Sequence, residues 1–152
     1  MRSGKTNIRL CTLILILMVF LSSCKKNPQL SEPISGNLAG RNWQLVQIDT
    51  VNGASLILDP ADTIILTFDD QHRLSGKSPG RCGNTYFGVY SIPTENAIRI
   101  DSLITTEIYC RSSQYQYFYG LLANAEQYQL YEARLDLLCN AQTRWLVFRP
   151  IH

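Results

Sequence analysis

Short runs in which apolar and polar positions alternate fill most of the chain after residue 38, and they predict β-strands. In residues 42–49 the alternation puts Trp43 and Leu45 on one face and Val46 and Ile48 on the other. The strands predicted in this way are 42–49, 55–58, 63–68, 73–76, 85–90, 98–100, 128–131, 134–138 and 144–148.

Residues 80–90 combine turn residues, a cysteine and alternating aromatic side chains. In 85–90 the odd-numbered positions share one face of the predicted strand and the even-numbered positions share the other. Tyr86, Phe87 and Tyr90 are all predicted to pack in the wall of the sheet. The stretch therefore marks a core strand that follows a tight turn.

One segment breaks the strand pattern and predicts a helix over residues 113–125. Tyr117, Leu121 and Ala125 recur at a spacing of four, as on one face of an amphipathic helix. Gly120 inside it is expected to let a neighbouring backbone approach closely. Because strands and helices do not alternate regularly, the prediction is a mainly β (α+β) fold, an antiparallel sheet that curls on itself with one packed helix.

The N-terminus has the pattern of a signal peptide. Three basic residues precede an apolar run, residues 10–21, which is shorter than the about 20 residues that a membrane span needs. The run ends in Leu21-Ser22-Ser23-Cys24, which resembles the bacterial lipobox. The resemblance implies cleavage after residue 23 and attachment of palmitate or similar acyl chains at Cys24. An ordinary secretory signal, in which this cysteine is incidental, is the alternative.

Removal of residues 1–23 changes the charge balance and divides the chain. It takes away three of the 14 Lys and Arg and none of the 12 Asp and Glu, which leaves a net charge of about −1. Such a chain offers no basic surface for nucleic acid. Residues 24–37 predict a lipidated cysteine and a flexible tether, and 38–150 a folded domain. Lys25 rather than an aspartate follows Cys24, which in a Gram-negative host favours the outer membrane, facing the periplasm.

A series of short motifs runs through residues 38–149. They are Leu-x-Gly-x-x-Trp-x-Leu at 38–45, Ile-Leu-Thr-Phe-Asp at 65–69, Leu-Ser-Gly at 74–76, Cys-Gly-Asn-x-Tyr-x-Gly-x-Tyr at 82–90, Thr-Thr at 105–106 before Cys110, and Leu-x-Phe at 146–148. Their order resembles the META domain, also called the HslJ-like domain, which occurs in many bacterial envelope lipoproteins. The resemblance implies a small lipocalin-like, barrel-related β fold with one helix and no catalytic residues.

Three cysteines remain in the mature domain: Cys82, Cys110 and Cys139. The resemblance implies a disulfide between Cys82 and Cys110, in a compartment where disulfides persist. Closing a loop of about 28 residues would stabilise the domain by roughly 3–4 kcal/mol in the chain-entropy model. Pairing of Cys139 with either partner, an intermolecular disulfide and three free thiols remain alternatives.

No catalytic, cofactor-binding or metal-binding residue is predicted. His72 is the only histidine before residue 152, so no Ser-His-Asp or Cys-His arrangement can be assembled. A zinc site built from His72 and the three cysteines would lack the closely spaced ligand pairs that structural zinc sites use. The sequence Asp69-Asp70-Gln71-His72 predicts a hairpin turn.

These features predict a lipid-anchored protein of the bacterial cell envelope with a non-catalytic domain. Its expected partners are membrane lipid and a protein of unknown identity, and its expected role is structural, stress-protective or in an interaction. One alternative is a carrier of small hydrophobic ligands in the barrel interior, and another is a protease inhibitor or assembly pilot that presents a sheet edge. A sizeable interior cavity would favour the carrier, and a filled interior would favour the interaction module.

Overall fold

The computed structural model describes residues 32–59, 61–79, 83–106 and 113–151. In those ranges the chain forms nine strands and one helix, and no helix there is long and apolar enough to cross a bilayer. The elements are β1 (Asn42–Thr50), β2 (Ser55–Ile57), β3 (Ile65–Phe68), β4 (Arg73–Lys77), β5 (Thr85–Ser91), β6 (Arg99–Thr105), α1 (Ser113–Leu122), β7 (Ala125–Tyr131), β8 (Arg134–Cys139) and β9 (Arg144–Ile151).

All strands belong to one antiparallel sheet that curls on itself. Its order is β6-β5-β4-β3-β1-β9-β8-β7, and the short β2 pairs with the second half of β1. The two ends of this order meet where Ala97 and Gln127 form an isolated antiparallel bridge. Beside it, the Ile98 N–H donates to the Glu126 carbonyl oxygen over 3.0 Å. The predicted fold class, a curled antiparallel sheet with one packed helix, is confirmed.

Strand β1 departs from simple alternation at a bulge. Its register against β9 shifts between Leu45 and Gln47, so one extra residue enters β1. Beyond that point Ile48 joins the same buried core as Trp43 and Leu45, while Val46 is half-buried. The expectation that Ile48 faces away from Trp43 is wrong, because a shift of one residue inverts every following side chain.

Helix α1 is shorter than the predicted 113–125. It ends at Leu122, and Ala125 already pairs with Cys139 as the first residue of β7. Gly120 is exposed, and a Cβ built on it would have nothing within 4 Å. The expectation that Gly120 admits a neighbouring backbone is therefore wrong.

The chain enters the domain beside β7. The Ile34 N–H donates to the carbonyl oxygen of Leu130 over 2.7 Å, and Leu38 is buried in the core. The Asn37 amide lies 3.3 Å from the carboxylate of Asp70 on the β3–β4 turn. The residues just before β1 thus contact β7 and the turn between β3 and β4.

Candidate functional site

Tyr86 crosses the interior of the curled sheet over Gly76 of the neighbouring strand. The two residues are Cα partners, and a side chain at Gly76 would overlap both the Tyr86 ring and the Ile65 carbonyl oxygen. The Tyr86 hydroxyl donates a hydrogen bond to that same carbonyl. Burial raises the pKa of Tyr86 well above its ordinary value, so the hydroxyl remains a protonated donor.

Helix α1 fills the space in front of Tyr86 with aromatic side chains. Phe118 is fully buried, with its ring centroid 5.7 Å from that of Tyr86 and 6.4 Å from that of Phe148. Trp43 and Phe68 are also fully buried. In the described residues, the interior that a lipocalin-like carrier would use for a ligand is thus packed with the protein's own rings.

Two tyrosines of α1 form hydrogen bonds with β6, at one end of the strand order. The Tyr119 hydroxyl donates to the Leu103 carbonyl oxygen over 2.9 Å. The Tyr115 hydroxyl lies 2.7 Å from the Thr105 hydroxyl, and burial raises the pKa of both tyrosines. Because the Leu103 carbonyl already accepts a hydrogen bond from Tyr119, this part of the edge is a poorer template for an added strand.

Asn84 ties the start of β5 to the end of β6. It is buried, and the Thr106 hydroxyl donates to its side-chain oxygen over 3.2 Å. The Thr106 hydroxyl oxygen also accepts from the Thr85 N–H over 3.0 Å, and the Ser78 N–H donates to the Asn84 carbonyl over 2.8 Å. The asparagine of the Cys-Gly-Asn motif is therefore a structural connector between three segments.

A shallow groove of about 370 Å³ lies on the outward side of the sheet. Its floor holds short side chains, and the Thr67 hydroxyl donates to the Asn42 side-chain oxygen over 2.7 Å. One row of Cα partners crosses six strands here: Ile104, Phe87, Ser75, Thr67, Asn42 and Ile151.

Three apolar side chains stand exposed beside this groove, and we call them the β5–β6 patch: Phe87, Val89 and Ile104. They expose 58%, 43% and 70% of their surface. Phe87 was expected to pack in the wall with Tyr86 and Tyr90, which are buried. That expectation is wrong for Phe87, because successive residues of β5 point to opposite sides of the sheet.

The family model of the META domain matches residues 36–150 of the chain. The chain belongs to the META-domain family. No curated protein matches it. The META domain of this chain brings the motifs Leu-Ser-Gly and Cys-Gly-Asn-x-Tyr together in the contact of Gly76 with Tyr86.

Three solved structures share the fold of this META domain. An NMR structure of a protein from Burkholderia xenovorans has 19% identity and a TM-score of 0.61, covering 83% of this chain and 97% of its own. A crystal structure of a DUF4847-family protein from Bacteroides vulgatus has 18% identity and a TM-score of 0.54, with coverage of 74% and 93%. A lipocalin-like protein from Bacteroides uniformis has 24% identity and a TM-score of 0.52, with coverage of 76% and 100%.

The residues predicted to carry lipid and a disulfide cannot be placed in this META domain. Cys24, Cys82 and Cys110 all lie outside the described residues, so the lipidation and the Cys82–Cys110 disulfide stay predictions. Cys139 is free and buried at the end of β8. Burial raises its pKa to about 12, so the group is a neutral thiol with little nucleophilic character at neutral pH.

The remaining candidates for chemistry are ordinary turn residues. Asp69 accepts hydrogen bonds from the N–H groups of Gln71 and Arg73, both over 2.9 Å, and these lower the pKa of Asp69. His72 lies exposed on the same turn at a positive φ of 60°. The predicted hairpin turn at 69–72 is confirmed. Within the described ranges no three His, Cys, Asp or Glu side chains cluster in a way that could hold a metal ion.

The contact of Gly76 with Tyr86 is a feature that the pattern of the sequence alone did not reveal. Both residues lie in motifs noted above, but nothing in either motif shows that they are opposite each other. Their relation depends on the register between β4 and β5.

Proposed function

We propose that the protein is a lipid-anchored envelope protein whose META domain is a non-catalytic structural or interaction module. The lipid anchor is supported by the run Leu21-Ser22-Ser23-Cys24 after an apolar segment too short to span a bilayer. In a Gram-negative host, Lys25 after Cys24 favours the outer membrane, with the domain in the periplasm. The family and the lipocalin-like fold suggest a domain without catalytic chemistry.

The fully buried rings in the interior, among the residues that the structure describes, favour a structural or interaction role over ligand carriage. Phe118 and Tyr86 occupy the volume that a carrier would leave free for its ligand. The alternative of an added strand at β6 is disfavoured by the hydrogen bond from Tyr119 to Leu103. A stress-protective role would act through the folded domain and its surface rather than through a bound small molecule.

Native mass spectrometry of the protein extracted from its own membrane tests this proposal. The expected species lacks residues 1–23, carries the mass of acyl chains on Cys24 and holds no small molecule. A Cys24→Ser variant is the matched control, and we expect it to lose both the acyl mass and the membrane association. An unacylated wild-type protein would refute the anchor, and a stoichiometric hydrophobic ligand would favour the carrier instead.

A further inference from the structure

The β5–β6 patch is a compact apolar surface on an otherwise small and polar part of the sheet. Phe87 and Ile104 are Cα partners on adjacent strands, and Val89 lies two residues along β5 on the same face. Val89 lies between Ser102 of β6 and Arg73 of β4, and the partner of Phe87 on β4 is Ser75. Apart from Arg73, which is paired with Asp69, the cross-strand neighbours of the patch are serines, and its three apolar side chains face the surroundings of the domain.

The charges around the patch suit contact with an anionic surface. Arg73 pairs with Asp69 over 2.7 Å, and Arg99 pairs with Asp101 over 2.9 Å. Lys77 makes no ion pair with the described residues, and it lines the outward groove together with Phe87. The strands that carry and flank the patch thus present one unpaired positive charge and, among the described residues, no unpaired carboxylate.

The length of the N-terminal connection limits how far the domain can lie from a bilayer. The described chain begins at Glu32, eight residues after Cys24, and eight extended residues reach at most roughly 28 Å. Ile34 is already hydrogen-bonded to Leu130 of β7. The bridge between Gln127 and Ala97 joins β7 to the segment before β6. An acylated Cys24 would therefore keep the domain within about its own width of the lipid surface.

We propose that the β5–β6 patch is a bilayer-contact surface for anionic lipid membranes. Phe87, Val89 and Ile104 enter the interfacial layer of the bilayer, and Lys77 contacts the lipid phosphates beside them. The inference rests on the lipid anchor proposed above, because the short tether supplies the proximity that three side chains alone do not.

The test uses the mature acylated protein reconstituted in vesicles that contain phosphatidylglycerol and lipids with brominated acyl chains. Phe87→Trp and Ile104→Trp place a reporter indole in the patch, and the wild type gives the background from Trp43 and Trp145. Ile57→Trp is the matched control, since Ile57 is 73% exposed on β2, outside the patch. We expect a blue shift and quenching of the added emission at positions 87 and 104 and neither change at 57.

Lys77→Ser in the Phe87→Trp background separates the charge from the apolar contact. We expect it to reduce quenching in anionic vesicles and to leave quenching in phosphatidylcholine vesicles unchanged. An acylated protein without quenching at 87 and 104, or with equal quenching at 57, overturns the patch and leaves the lipid anchor intact. Such a result would point to a protein partner or to tumbling without a preferred face. A protein without acyl mass overturns both proposals.

Discussion

Gly76 and Gly120 both lie inside regular elements, yet only one of them is needed as glycine. The Gly76→Ala substitution would drive a methyl group into the Tyr86 ring and the Ile65 carbonyl, so we expect a loss of about 1–3 kcal/mol or more. Gly120→Ala meets nothing within 4 Å in helix α1 and should raise the free energy of unfolding by about 1 kcal/mol. Urea unfolding of the two variants beside the wild type measures both effects.

Opposite signs for the two glycine variants are the essential part of that prediction. Equal stability of Gly76→Ala and the wild type would mean that the Tyr86 ring does not cross over β4. A destabilising Gly120→Ala would mean that the exposed face of α1 is covered in the protein.

Cys139 makes the stability of the domain fall at alkaline pH. The thiol has an ordinary pKa near 9.0 and a folded-state pKa of about 12, because it is buried. Between these values the folded state keeps a proton that the unfolded state has lost, so the free energy of unfolding falls as pH rises through this window. Below pH 8 this group contributes no pH dependence.

A Cys139→Ala variant isolates that contribution. Its loss of stability between pH 7.5 and pH 10 should be smaller than that of the wild type by about 1 kcal/mol, since one pH unit corresponds to about 1.4 kcal/mol. Urea unfolding at the two pH values gives the comparison. Identical pH dependence in both proteins would contradict a buried neutral thiol.

At the residue scale, the sequence predicted correctly which side chains of β5 share a face of the strand. It predicted less well which of the two faces is buried. Alternation in 85–90 grouped Tyr86 with Tyr90 correctly, but it gave Phe87 no distinct environment. Gly76 determines that the Tyr86 face is the buried one, because a residue without a side chain leaves room for the Tyr86 ring across the strand pair. Such a relation exists only once the register is set, so it could not be found before the fold was known.

Among the elements, the turn between β8 and β9 carries local strain. Asn140, Ala141 and Gln142 follow one another at φ values of 55°, 52° and 62°. The left-handed region costs an L-residue roughly 1–2 kcal/mol relative to the right-handed one. The Ala141 N–H donates to the carboxylate of Glu126 over 2.7 Å, which helps to hold the turn in this shape.

Glycine in the middle of this turn should relieve part of the strain. We expect Ala141→Gly to raise the free energy of unfolding by about 0.5–1 kcal/mol, the relief exceeding the entropy that glycine adds to the unfolded chain. Ala54→Gly, at an exposed position without a positive φ, should lower it slightly. Thermal or urea unfolding of the pair checks the sign, and a destabilised Ala141→Gly would contradict the left-handed turn.

Strands and helices with a long hydrophobic pattern were predicted well, but the residues at which these elements end were not. The bulge after Leu45 and the end of α1 at Leu122 both depend on partners far along the sequence, β9 and β8. The left-handed turn at 140–142 contains no glycine, and Asn140 is its one typical turn residue, which does not predict three successive left-handed residues.

At the scale of the whole molecule, the helix acts as a plug for the curled sheet. Phe118→Ala would remove the ring between Tyr86 and Phe148 and should cost about 3–5 kcal/mol, because the cavity left behind cannot close fully. Tyr117→Ala, at a partly exposed site whose hydroxyl accepts a hydrogen bond from Arg144, should cost about 1 kcal/mol or less. Urea unfolding measures both.

The same pair of variants tests the function of the interior. If Phe118 fills the space that a carrier would use, Phe118→Ala should gain binding of a small apolar probe such as benzene or xenon. The wild type and Tyr117→Ala should not bind it. Probe binding by the wild type would show that the interior is already open.

The order of motifs predicted the fold class and the family, since it extends over the whole domain. The closure of the sheet at Ala97 and Gln127 was not predictable, because these residues lie outside regular alternation. The predicted sites at Cys24, Cys82 and Cys110 lie outside the described residues. The β5–β6 patch could not be predicted, because alternation alone does not show that the face with Phe87 is the exposed one.

The pairing of β1 with β9 sets a condition on when the domain can form. Asn42 lies opposite Ile151, so the first strand of the sheet has the last one as its neighbour. If the protein is exported N-terminus first, β1 crosses the membrane long before β9 and can pair only with β2 and β3 in the meantime. Closing so long a loop is costly until its contacts form, which delays folding. The connectivity of the sheet would thereby keep the domain from folding completely while the chain passes through a narrow translocation channel.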